Sequence, residues 1–112
     1  MSTDRIDKVN SLLEHEISKI ILREFDFTGT LVTLTHVETT ANLIEAKVYI
    51  SVFPEEKSER AIKSLNNNVI GMQKQINKKL NMRPIPRIKF VADKDISYAG
   101  KIEEMLNKLK KS

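Results

Sequence analysis

Two histidines, His15 and His36, and the carboxylates near them are the side chains of this 112-residue chain best suited to acid–base or metal chemistry. His15 stands beside Glu16, but the residue four further on is Lys19, so the two-histidine helical zinc motif is absent. His36 lies alone in an alternating segment and reads as a surface or sheet-packing residue. There is no cysteine, hence no thiolate metal site and no disulfide framework. Gly29, Gly71 and Gly100 are too scattered to form a phosphate-cradling loop. The acids fall on helix surfaces without the pairing that acid–base work requires. The expectation is a protein that is not an enzyme, with no cofactor, no metal and no small-molecule substrate.

The charges point elsewhere. Residues 60–92 carry eight bases (Arg60, Lys63, Lys74, Lys78, Lys79, Arg83, Arg87, Lys89) and not one acid. The first 59 residues hold eleven acids and six bases, so the net charge of +4 conceals a basic window in an otherwise acidic chain. Such a window is either a solvated face or a surface for a polyanion. The same window contains Asn66-Asn67-Asn68 followed by Gly71, weak helix formers inside an apolar stripe that otherwise runs on in helical register.

The elements that position this window follow from periodicity. Ile6, Val9, Leu13, Ile17, Ile20 and Ile21 recur at three- and four-residue steps and predict a helix over residues 4–24. Residues 31–40 alternate, with Leu31, Thr33, Thr35 and Val37 against Val32, Leu34 and His36. Residues 43–53 alternate again, with Ile44, Ala46, Val48, Ile50 and Val52 on one face. The short polar link between these two strands predicts antiparallel pairing. Ile62, Leu65, Val69, Met72, Ile76 and Leu80 then form one stripe across Gly71, which predicts a bent helix or two short joined helices. Pro84 and Pro86 force an extended segment, Arg87–Ala92 reads as a third strand, and a last helix carries Ile102, Met105, Leu106 and Leu109. The result is a single domain over residues 1–112, of α+β class, with two layers and a three-stranded sheet. No apolar run is long enough to span a membrane and no secretion signal opens the chain, so a cytoplasmic protein is expected.

The order α-β-β-α-kink-α-β plus a C-terminal helix is that of KH-like (type II) nucleic-acid-binding domains, in which a loop between two helices holds a single strand. Four segments, RIDKVNSLLEHEISKII, VTLTHVETTANLIEAKVYISVF, SLNNNVIGMQKQINKKLNMRPIPRIKFVAD and DISYAGKIEEMLNKL, together resemble the ribosome-binding factor A family along the whole chain. The resemblance implies an interhelical kink at Val69-Ile70-Gly71 in place of the KH loop. It implies an assembly factor that binds the immature small ribosomal subunit and its rRNA, assists late maturation including the rRNA 5′ end, and matters most in the cold. A monomer is expected, with no membrane partner.

The RNA contacts expected on these grounds are Lys74, Lys78, Lys79, Arg83, Arg87 and Lys89, with Asn67 and Asn68 at the bend and Arg5 and Lys8 on the first helix. Tyr49 is the best-placed aromatic for base stacking, although strand tyrosines are commonly packed. Two rival readings are a general single-stranded RNA-binding KH module and a protein-interaction adaptor whose basic window is only solvated surface.

Overall fold

The computed structural model describes residues 2–94, with side chains from residue 4 onward; the expected C-terminal helix lies outside the described residues. Helix α1 (Ser2–Glu24) buries Val9, Leu13, Ile17, Ile20 and Ile21, the stripe its spacing requires. Gly29, at φ +75°, turns the chain into strand β1 (Leu31–Thr39), which pairs antiparallel with β2 (Glu45–Phe53). A single turn of 3-10 helix, Glu55–Lys57, leads into helix α2 (Ser58–Asn67) and then helix α3 (Val69–Lys79). Strand β3 (Arg87–Ala92) returns parallel to β2, giving the sheet order β1-β2-β3. A parallel partner needs a crossover of a dozen or more residues, and the α2–α3 pair supplies it.

Helices and sheet enclose one core in which Leu13, Ile17, Val48, Ile50, Leu65, Met72, Ile76 and Phe90 are fully buried. Burying each such side chain contributes about 1.5–3 kcal/mol. Ala46, Val48 and Ile50 are inward as their alternation requires, and Val52 is half-buried. Ile44 departs from that set: it precedes β2 and is 62% exposed.

Strand β1 also departs from simple alternation. Its register against β2 shifts between Leu34, opposite Ile50, and His36, opposite Tyr49, leaving Thr35 as an extra residue. A bulge of this kind reverses the facing of everything beyond it. Val37 therefore joins Val32 and Leu34 on the core side, opposite Val48, while His36 turns to the outer face of the sheet.

Candidate nucleic-acid interface

The asparagine run breaks the long helical pattern. Asn68 adopts φ −107° and ψ 8°, outside helical geometry, and joins α2 to α3. Its backbone N–H donates to the Leu65 carbonyl at 3.1 Å, and its side-chain amide donates to the Ser64 carbonyl at 2.8 Å. The first helical bond of α3 runs from Met72 N–H back to the Asn68 carbonyl at 3.2 Å. The interhelical break thus falls at Asn68, where asparagine's short amide can bond the local backbone. Val69, Ile70 and Gly71 form the opening turn of α3. A Cβ added at Gly71 would meet nothing within 4 Å.

Asn66 and Gln73 do something the sequence reading did not anticipate. In a parallel pair, alternate residues of β3 turn their backbone groups toward β2, as Arg87 N–H does to the Ile44 carbonyl at 2.9 Å. The intervening groups face outward from an edge strand. Asn66 fills two of them, donating to the Phe90 carbonyl and accepting from the Phe90 N–H, each at 3.0 Å. Gln73 fills two more, accepting from the Ile88 N–H at 2.9 Å and donating to the Pro86 carbonyl at 3.1 Å. Their seven-residue separation, two helical turns, is the one signal that could have placed both amides on the same side of the helix pair. Together they close much of the free edge of β3 to another strand.

The cations expected to touch RNA are all exposed, and the fold spreads them over several places. Lys74 and Arg87 flank a shallow groove of about 290 Å³ floored by Val69, Ile70 and Ile88. Lys78 and Lys79 sit in the last turn of α3, where the helix dipole favours positive charge, and face α1 across a second groove. Lys89 lies on the outer face of the sheet, in register with Lys47 and away from the helices. Arg83, in the segment between α3 and β3, donates to the Met82 carbonyl at 2.8 Å. Asn67 is exposed beside the break, and Arg5 and Lys8 are exposed near the start of α1.

The outer sheet face gathers a different set. The His36 and Tyr49 rings stack with centroids 4.2 Å apart, so His36 occupies one face of the ring nominated for base stacking. Tyr49 donates its phenol hydrogen to Glu38 at 3.1 Å, which together with partial burial holds the phenol above its ordinary pKa. Asp93 accepts from Thr35 at 2.6 Å and lies 3.8 Å from the His36 ring. With two carboxylates beside it, this pair is a poor seat for phosphate. Among the described residues no group of three His, Cys, Asp or Glu side chains is placed to hold a metal ion.

Known proteins resemble this chain in sequence and in fold. The family model described as ribosome-binding factor A matches residues 5–106. The ribosome-binding factor A of Akkermansia muciniphila is 32% identical over 108 residues, covering 96% of this chain and 86% of that protein. That of Chlorobaculum tepidum is 35% identical over 109 residues, covering 95% and 91%. Among solved structures, a Thermotoga maritima protein described as a putative ribosome binding factor A superposes with a TM-score of 0.58 at 28% identity, covering 84% of this chain and 88% of that one. The crystal structure of ribosome-binding factor A from Thermus thermophilus shares the fold, with a TM-score of 0.65 at 22% identity over 78% of this chain and 94% of that one. The chain belongs to the ribosome-binding factor A family.

Proposed function

We propose that this protein binds the immature small ribosomal subunit through its rRNA and assists late maturation of that rRNA, including its 5′ end. Its relatives carry ribosome binding in their name. The observation that carries the reading is the set of exposed cations from Lys74 to Lys89 on α3, β3 and the segment between them, a stretch of sequence without a single acid. Such groups hold phosphates and fix orientation without reading bases. Binding energy then favours one rRNA arrangement over others, a shift of population with no bond made or broken. That role grows in the cold, where misfolded RNA escapes more slowly. The closed edge of β3 weighs against a general single-strand module, because backbone groups that could read bases are already bonded to Asn66 and Gln73. Gradient sedimentation of lysate tests the assignment: the protein is expected with free small subunits, and its exclusive presence in translating ribosomes overturns the assembly role.

A further inference from the structure

Helix α1 carries a basic stripe of its own. At 100° per residue, Arg5, Lys8, Leu12, Glu16, Lys19 and Arg23 fall within about 80° of one another on the helix surface. From Arg5 to Arg23 the stripe runs about 27 Å at 1.5 Å per residue. Its far end meets α3. There Lys19 and Arg23 face Lys78 and Lys79 across a groove of about 290 Å³, with Ile20 and Ile76 at its base. Four cations stand against a single lining acid, Glu16, whose carboxylate is 3.8 Å from Lys19.

Arg23 is held in place there. Its guanidinium donates to the Gln75 side-chain carbonyl at 2.7 Å and to Glu24 at 3.1 Å. Gln75 in turn donates to the other Glu24 oxygen at 3.2 Å, closing a bridge between the two helices. The other cations are long side chains with methylene stems, which can lie against a flat ring while their charged ends reach solvent. The groove is at the lower limit of ligand pockets, about 300–1,000 Å³, so it has room for one planar ring and not for a duplex.

We infer that the groove between α1 and α3 takes one unpaired nucleotide of the bound RNA, its base over Ile20 and the lysine stems, its flanking phosphates on Lys19, Arg23, Lys78 and Lys79. The inference rests on the proposed RNA-binding function and adds a site on α1. It gives the protein a preference for RNA with an exposed, unstacked nucleotide, without choosing which base.

The test uses the full chain with methyl-labelled isoleucine and three RNAs: a short oligouridine, the same oligonucleotide with a central abasic site, and a fully paired hairpin. Oligouridine is expected to shift the Ile20 and Ile76 methyl signals. The abasic and paired RNAs are expected to bind several-fold more weakly and to leave those signals nearly still. Lys19→Glu, at an exposed position, is expected to weaken oligouridine binding several-fold at unchanged melting temperature, and Glu16→Gln to strengthen it. Unmoved methyl signals, or equal binding of oligouridine and its abasic form, overturn the inference. Methyl shifts with polyglutamate but not with RNA overturn it in favour of an acidic protein segment. If Lys19→Glu binds oligouridine normally while the wild-type protein still sediments with small subunits, the groove is wrong and the ribosomal assignment stands. If the wild-type protein fails to sediment with them, the assignment itself falls.

Discussion

The side-chain amide of Asn66 makes both hydrogen bonds that a neighbouring strand would make to Phe90, donating to its carbonyl and accepting from its N–H at 3.0 Å each. A helix residue thereby does what a further strand would do on that edge, seven residues before Gln73 does the same at Pro86 and Ile88. Asn66→Leu leaves two part-buried backbone groups without partners, and about 1–3 kcal/mol of stability is expected to be lost for such groups. Denaturant titration reads the loss. Asn67→Leu, at an exposed neighbour, serves as control and is expected to stay within about 0.5 kcal/mol of wild type.

Val48 is fully buried and in register with Val37 on one side and Phe90 on the other. Val48→Ala is expected to lower stability by about 1.5–3 kcal/mol, the scale of a buried valine. Lys47→Ala, on the opposite face, is expected to change it by less than about 0.5 kcal/mol. Equal midpoints for the two variants mean that the strand register is inverted.

Gly71 lies inside α3, and an added Cβ there meets open space. Gly71→Ala is expected to stabilise the protein by about 0.4–1 kcal/mol, through the entropy of the unfolded chain. The hollow beside Gly71 is walled in part by Glu24 and Asp26, so small-subunit affinity is expected to stay unchanged. Destabilisation by alanine would show that the glycine takes a conformation other than helical. Weakened binding at an unchanged salt slope would show RNA backbone approaching the bare Cα.

Tyr49 donates to Glu38, and that bond is the first cause holding its phenol above the ordinary value. A raised pKa in the folded state means stabilisation that is full below the unfolded tyrosine pKa and is lost as pH rises through the folded one. In a Tyr98→Phe background, alkaline titration of the tyrosinate absorbance is expected above the ordinary range for Tyr49. Glu38→Gln is expected to bring it down, and no movement excludes Glu38 as the cause.

Much of this fold is legible in the residues themselves. The stripe from Ile6 to Ile21 and the alternation from Ala46 to Val52 state which faces are buried, because burial enforces the periods of helix and strand. Pairwise geometry is what periodicity omits. A bulge at Thr35 costs only one residue of register yet sends Val37 inward and His36 outward. The helix break was legible as a weakness, since three asparagines and a glycine all disfavour helix, but its place at Asn68 depends on bonds to Ser64 and Leu65. Asn66 and Gln73 gave no local sign of their partners, which lie 24 and 15 residues away in β3. The basic window was plain in the sequence, whereas the meeting of Lys78 and Lys79 with Lys19 and Arg23 needed the packing of α3 against α1.

If exposed cations hold small-subunit rRNA by its phosphates, salt must weaken the complex, and the affinity of the protein for purified immature small subunits across a range of salt reads this. With roughly five cations on phosphates, the logarithm of affinity should fall against the logarithm of salt with a slope near −3 to −4, at the roughly 0.7 per contact of single-stranded RNA. Alanine at Lys74, Lys78 or Lys79 should each make that slope shallower by somewhat under one, with the melting temperature unchanged. A slope near zero, or one that none of the three substitutions alters, would contradict the account.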